Sequence, residues 1–520
     1  MLKVESYRKG IVLSTGFNIL NKGLVFCNSL IVAYYFGTQL KTDIYFFVFG
    51  IIVLFNGFAA GLNSTVLIPE SMRIRNQENE HEAMRFLNFF LLLYFAVSLF
   101  VILIFAANPV LAFSGISHFA KGGLRANSAT LYLALPLFMV MTLTTLLTDI
   151  LSSYKFFTMP MIAGMINGIF SIAFVVAFHS VLGIRSLLAG LLVSYVINLL
   201  ILFYLMKKRL NWRYFDGLPK VEKRIWKNVG FAQAGNITTM LYSYAPMYLF
   251  SGVSIGTITA LNFAQQIAGI PTTLVTNQVS AVSGIKFNEL YTRKNHGKMN
   301  EIYLTTTNFL QFILMPVSIL LFLHAEEVVT ILFKRGAFDS QSVLQSALFL
   351  KYLGLLLPML AINTMGARML MATHRIKESF WFQIVMNVTL VILIFVGVRE
   401  FQIMGYLLAM LTIYFLSTLF QYYLFRSILP FVRYAGVLES FFKLLLLNAC
   451  VGAVVYGAGF LLPGNVGPVV NVLFAGTLHV GLLLMLNSAL KIDQELLNYT
   501  RTSLKVIRNG IRTVLYRVRP

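Results

Sequence analysis

Lys22 places an ammonium in the middle of an apolar run, residues 11–36, with a stripe of small polar side chains beside it. At about 100° per residue, Ser14, Thr15, Asn18, Asn21, Lys22, Asn28 and Ser29 gather within an arc of roughly 140°, and the aliphatic and aromatic residues take the rest of the helix. A cation at the centre of a bilayer costs on the order of 3 kcal/mol, so it faces a protein anion or a water-filled cavity. Protein anions are few: Asp43 and Asp149 each lie roughly 15 Å or more from mid-membrane by helical rise. An unpaired lysine in such a cavity points to an anionic ligand. The competing reading is a lysine that snorkels or bonds a backbone carbonyl.

A second stripe, Asn262, Gln265, Gln266, Thr272, Thr273, Asn277 and Ser280, repeats the pattern in the run 257–284. Gln233, Asn236 and Ser243 cluster in 229–255, and Asn56 and Asn63 stand on one side of 43–69. These amides either line a shared cavity, where they would hydrogen-bond a polar ligand, or glue packed helices at about 0.6 kcal/mol each. Asp43 and Asp149 are candidates for a gate contact or for coupling to a proton or cation. His179 and His479 have no companion ligands, so no metal is expected. Cys27 and Cys450 show no paired spacing and read as packing residues. No cofactor and no catalytic constellation are expected.

The elements that position these groups follow from composition. Hydrophobic residues make up 58% of the 520, charged residues 12%, and mean hydropathy is +0.78. That excludes an ordinary soluble domain and implies an all-α integral membrane protein. About fourteen runs are long enough to cross some 30 Å of hydrocarbon: residues 11–36, 43–69, 86–113, 128–152, 157–180, 184–206, 229–255, 257–284, 300–324, 342–371, 378–398, 402–425, 436–461 and 467–490. Continuous runs of this length exclude a transmembrane β-barrel. Most of the 41 Lys and Arg collect on the side that holds both termini, which predicts that both are cytoplasmic. The net charge of +22 follows from that bias and suits anionic membrane lipids better than nucleic acid. Lys3, Arg8 and Lys9 precede an apolar run too long for a removable signal peptide, so the first span is expected to stay.

The division of the chain is expected to be an N-terminal lobe of six helices (1–206), an amphipathic cytoplasmic linker (207–228), a C-terminal lobe of six helices (229–426), an accessory helix pair (427–491) and a basic cytoplasmic tail (492–520). The lobes read as weak repeats. Phe36-Gly37-Thr38 matches Ile255-Gly256-Thr257, Leu111 to Gly115 matches Ile331 to Gly336, and Met165-Ile166-Asn167 matches Val385-Met386-Asn387. An even number of spans per repeat gives both lobes the same topology, related by an axis along the membrane normal.

Leu332-Phe333-Lys334-Arg335-Gly336-Ala337-Phe338, the later Gly366-Ala367-Arg368 and Met371-Ala372-Thr373-His374, the opening Phe36-Gly37-Thr38 with Thr42-Asp43-Ile44-Tyr45-Phe46-Phe47, and Ile68-Pro69 together resemble the MurJ/MviN family of the MOP exporter superfamily. The resemblance covers essentially the whole chain. It implies a flippase of the bacterial inner membrane, not an enzyme, that moves an undecaprenyl-pyrophosphate-linked saccharide from the inner to the outer leaflet for cell-wall biogenesis. It further implies alternating access between two lobes, a cationic central cavity for the pyrophosphate and a lipid-tail groove beside the last two spans. Membrane potential or an ion gradient is a separate expectation, which the sequence does not choose between. Several cavity arginines of the family are replaced. Lys22 matches one of them, Asn28 and Gln266 stand at two others, and Asn56 stands near where another would fall. A cavity of amides suits sugar hydroxyls, so a related cell-envelope glycan is as compatible as the peptidoglycan precursor. The alternative is a cation-coupled exporter of small amphiphiles from the same superfamily.

Overall fold

The computed structural model describes residues 7–156, 158–214, 217, 221–460 and 467–490, with the side chains of 7–15, 18–19, 159–160, 231–232 and 488–490 outside that description. The basic tail therefore lies outside the described residues, as does the middle of the linker. The elements are α1 (Tyr7–Phe36), α2 (Leu40–Leu62), α3 (Ile68–Gln77), α4 (Glu80–Ala107), α5 (Pro109–Gly115), α6 (Lys121–Ala126), α7 (Ser128–Ser153), α8 (Thr158–Leu182), α9 (Arg185–Leu210), α10 (Lys223–Phe250), α11 (Thr257–Pro271), α12 (Asn277–Thr292), α13 (His296–Leu323), α14 (Ala325–Phe333), α15 (Ser340–Leu355), α16 (Leu357–Ala372), α17 (Ile376–Ile428), α18 (Tyr434–Gly459) and α19 (Pro468–Leu490). A π turn, Asn63–Leu67, joins α2 to α3, and another, Thr272–Thr276, joins α11 to α12.

The protein is a multi-pass helical membrane protein. Among the described residues nine helices are long and apolar enough to cross a membrane, ten with the bent pair α15–α16. α17 carries two of the runs read from sequence, folded back at Gln402, where φ is +51°. α10 and the α11–α12 segment carry polar stripes, whose amides and hydroxyls dilute their apolarity, and α1 is described with side chains continuously only from Leu20 on. Each run expected from sequence falls, over its described residues, mainly on one helix or on two consecutive ones, with the ends moved where local chemistry dictates. The third stops at Ala107 because Asn108 caps a new helix, accepting from Leu111 N–H at 3.0 Å, and Pro109 starts it. The tenth bends by 45° between α15 and α16, where Pro358 sits in the first turn of α16.

The repeat is written into the backbone. Gly37 and Gly256, Lys155 and His374, and Gly183 and Gln402 are three pairs of left-handed turn residues, and each pair is separated by the same length of chain. Turn geometry has been kept where side-chain identity has not.

The chain packs as two compact units. The first comprises Met1–Gln266, Leu332–Ser346 and Phe380–Met410. Its centre is α7, whose Leu131, Leu137, Leu146 and Leu147 are fully buried, and which packs against α2, α4 and α9. The linker residues that are described are anchored to this unit. Trp212 Nε1 donates to Asn88 Oδ1 at 2.8 Å, Asn88 Nδ2 donates to the Arg213 carbonyl at 2.5 Å, and Arg73 and Arg224 both reach Glu70 at 2.7 Å. The second unit comprises Ile267–Ile331, Ala347–Ser379 and Leu411–Pro520. Here α13 packs on α12, α16 and α18, with the buried rings of Tyr303, Phe425 and Tyr434 in sequence between them. The pair α18–α19 is held by a small cluster of Val451, Val455 and Ala475 and by His479 Nε2 at 3.0 Å from Asn448 Oδ1.

Candidate functional site

In the first compact unit the α1–α2 turn, the α10–α11 turn and the segment 332–346 meet. Asp43, in the first turn of α2, is 2% exposed and has no ion-pair partner among the described residues. Its carboxylate instead accepts from Gly256 N–H at 2.5 Å, Thr259 N–H at 2.8 Å and the Thr259 hydroxyl at 2.6 Å. These are orphan donors at the N-terminus of α11, where the helix dipole and the unpaired N–H groups favour an anion. The acid therefore latches the second span to the eighth.

A second contact lies alongside. Thr38 Oγ1 and Ser342 Oγ are 2.6 Å apart, and Asp339 Oδ1 accepts from the Ser342 hydroxyl at 2.7 Å and its N–H at 2.8 Å. Those bonds hold the Asp339 carboxyl below its usual range, so this cap of α15 is charged at neutral pH. Thr38, Gln39, Ile255, Asp339, Gln341 and Gln345 line a small polar cavity of about 260 Å³ beside the contact.

The backbones also touch. Ala337 N–H donates to the Tyr34 carbonyl at 2.8 Å, and the two flanking turns are glycine with positive φ, +55° at Gly37 and +59° at Gly336. A Cβ at Gly37 would press on the Ala337 carbonyl oxygen and one at Gly336 on that of Tyr34. Gly336→Ala is thus expected to weaken this closed end by about 2 kcal/mol or more. Hydrogen exchange at residues 34–38 should rise; protection equal to wild type would show that the turn has room.

Beneath the latch lies an aromatic layer. Phe333 approaches Phe26 of α1 at 6.3 Å and Phe263 of α11 at 4.9 Å between ring centroids, and Phe46 and Phe338 pack on Phe263. Lys22 lies one turn below Phe26, and Gln266 one turn below Phe263. Lys22 is exposed and has no ion-pair or hydrogen-bond partner among the described residues. Gly16 and Gly23 of the same helix also face open space.

The remaining polar residues divide. Asn21 and Asn28 turn toward α8: Asn21 packs on Gly164, with its Oδ1 buried and unpartnered, and Asn28 Oδ1 accepts from Ser171 at 3.2 Å. Ser29 is buried and bonds its own helix, donating to the Val25 carbonyl at 3.0 Å. Asn56 accepts from Thr145 at 2.9 Å. Gln233 donates to the Phe58 carbonyl at 3.3 Å, and Asn236 donates to Gln233 at 2.8 Å while its amide fills the space above Gly61, so both sit in the α2–α10 contact. Gln265 is exposed and Asn262 and Gln266 are half-buried on α11. The side chain of Asn18 lies outside the described residues. Asp149 of α7 is half-buried and accepts from Asn63 of the π turn at 2.8 Å.

Sequence reasoning did not pick out Thr259, Ser342 or Asp339 as partners. The signal for Thr259 was present: Gly256-Thr257 opening a helix opposite a lone buried acid is a helix start seeking an anion. That for Ser342 was Asp339 three residues before it, a helix cap.

A family profile described as lipid II flippase MurJ matches residues 32–474. A probable lipid II flippase MurJ of Borreliella burgdorferi is 25% identical over 358 residues, covering 66% of this chain and 69% of that protein. One from Aquifex aeolicus is 26% identical over 344 residues, covering 65% and 66%. Among solved structures, lipid II flippase MurJ in an inward closed conformation shares the fold with a TM-score of 0.76 at 18% identity, over 92% of this chain and 99% of that one. An inward-facing MATE multidrug resistance transporter of the MOP superfamily follows at 0.65 and 15% identity, over 81% and 96%. The profile match across most of the chain, joined to the helical architecture and the matching motifs, settles the relationship: this chain belongs to the lipid II flippase MurJ family.

Proposed function

We propose that this chain flips an undecaprenyl-pyrophosphate-linked saccharide of the lipid II class from the inner to the outer leaflet of a bacterial cytoplasmic membrane, with both termini cytoplasmic. The observation that carries the reading is Lys22, an exposed ammonium with no partner among the described residues, set one turn beneath the aromatic layer. In this reading the lysine meets the pyrophosphate. Asn262, Gln265 and Gln266 offer donors and acceptors to sugar hydroxyls, Asn18 is assigned by helical spacing to the side of α1 that holds Lys22, and Asn21 and Asn28 support that helix from its contact with α8. Asn56, Gln233 and Asn236 support the wall from within helix contacts. The Asp43–Thr259 latch and the Thr38–Ser342 contact form the outer gate, which parts to release the headgroup. Access alternates between the lobes 1–206 and 229–426, and the accessory pair within 427–491 guides the lipid tail. Anionic lipids hold the basic surface, and membrane potential or an ion gradient supplies the energy. A cation-coupled exporter of amphiphiles has less support, since the family profile is that of a lipid flippase.

Removing one charge-assisted hydrogen bond from a desolvated site costs about 1.5–3 kcal/mol, or about 10- to 100-fold in rate. Translocation of a fluorescent lipid-linked pyrophosphoryl saccharide in reconstituted vesicles should fall by that factor in Lys22→Gln and recover largely in Lys22→Arg. Wild-type rates in Lys22→Gln would remove the lysine from substrate recognition.

A further inference from the structure

The π turn between α2 and α3 holds an arrangement that the flippase reading leaves unused. Asn63, fully buried, donates through Nδ2 to Asp149 Oδ2 at 2.8 Å and accepts on Oδ1 from the Tyr94 hydroxyl at 2.9 Å. The same Tyr94 hydroxyl lies 3.4 Å from the carbonyl oxygen of Ala59, at the end of α2 where the ladder slips into the π turn. Asp149 faces no opposite charge among the described residues. From α4 comes only the phenol of Tyr94. The charged groups of α3 are engaged elsewhere, Glu70 and Arg73 with each other and Arg75 over the Tyr154 ring at 4.4 Å. Glu82 and Arg85 near the start of α4 pair at 2.8 Å. The charged residues of α9 are Arg185 in its first turn and Lys207, Lys208 and Arg209 in its last; α2 contributes Lys41 and Asp43 at its far end, and α8 only His179 in its last turn.

We infer that Asp149, Asn63 and Tyr94 form a proton-binding switch that sets the state of the π turn. A metal cation does not fit, because sodium needs several oxygen ligands and the side chains gathered here add only one amide and one phenol to a single carboxylate. A proton fits, because both protonation states can satisfy every group present. As a carboxylate, Asp149 accepts from Asn63, and Asn63 accepts from Tyr94, as observed. When a hydronium ion delivers its proton, Asp149 becomes a donor and the Asn63 amide turns over, so that the acid O–H meets Asn63 Oδ1. Asn63 Nδ2 then donates to the Tyr94 oxygen, and the Tyr94 hydroxyl donates to the Ala59 carbonyl. That carbonyl already accepts from Asn63 N–H, so the extra bond alters the ladder at the start of the π turn. The proton is thereby read out by the helix that carries the Asp43–Thr259 latch at its other end. The proton site stands by itself; its influence on flipping rests on the reading above.

Infrared difference spectra of the full chain in lipid vesicles, titrated between about pH 5 and 9, test the site without substrate. A protonated-carboxyl band should appear on acidification in wild type and vanish in Asp149→Asn. No band in wild type, or an unchanged band in the variant, overturns the site. Should Asp149→Asn fail to insert, ¹³C-aspartate labelling of wild type and Asp149→Glu replaces it: the isotope-shifted band must disappear in the glutamate variant, and its persistence overturns the assignment. In the same vesicles lipid translocation should vary with pH in wild type and not in Asn63→Leu, which keeps the acid and cuts its link to the turn. An equal pH dependence in Asn63→Leu overturns the switch while leaving the proton site. Absence of any translocation by wild type would count against the flippase reading alone.

Discussion

Oxidising a Thr38→Cys, Ser342→Cys pair should stop lipid translocation to background, and reduction should restore it. The two hydroxyl oxygens are 2.6 Å apart, close to the separation that a disulfide of about 2.05 Å requires with modest adjustment. Cys27 and Cys450 are both free and exposed, so the pair belongs in a Cys27→Ser, Cys450→Ser background. The cross-link ties the α1–α2 turn to the start of α15 at the point where Gly37 and Gly336 already bring the backbones together. In the proposed gate a headgroup cannot pass while that contact is covalent. Undiminished translocation in the oxidised protein, with the cross-link verified by mass spectrometry, would mean that this end stays shut throughout the cycle and that release occurs elsewhere.

Asp43→Ala should open the same end. The substitution leaves Gly256 N–H, Thr259 N–H and the Thr259 hydroxyl without their acceptor in a place that water does not reach. Charge-assisted bonds to buried donors are worth about 1.5–3 kcal/mol each before compensation, so the closed arrangement should be weakened by a net of about 2–4 kcal/mol. That changes the closed-to-open ratio by about 30- to 1,000-fold. The readout is thiol labelling of Thr38→Cys in the same cysteine-free background, expected to accelerate by that order in Asp43→Ala. Asp43→Asn should fall between, since the amide keeps an acceptor oxygen but brings its own donors toward the helix N-terminus. Labelling at the wild-type rate in Asp43→Ala would show that the glycine turns and the Thr38–Ser342 contact close the gate unaided.

Lys22 and Asp43 are presented very differently by the sequence. Lys22 was legible from sequence alone, because a charge inside a long apolar run is expensive wherever the helix points, and the run itself was plain from composition. The same holds for the helical architecture, in which every long apolar run became a helix because no other element satisfies its backbone in hydrocarbon. The repeat was faintly legible in the glycine turns, and the shared positive φ of Gly37 and Gly256 shows why those residues persisted. Which amides face a partner was not legible. A stripe spanning an arc of 140° or so covers two directions on a helix, and only packing decided that Asn21 and Asn28 turn to α8 while Lys22 does not. Asp43 was read as a lone acid at a helix end, yet its partners lie more than two hundred residues away at the start of α11. No local pattern specifies a contact of that separation. It exists because burial leaves a carboxylate and a set of orphan N–H groups with no water to turn to, and the tertiary fold brings the two together.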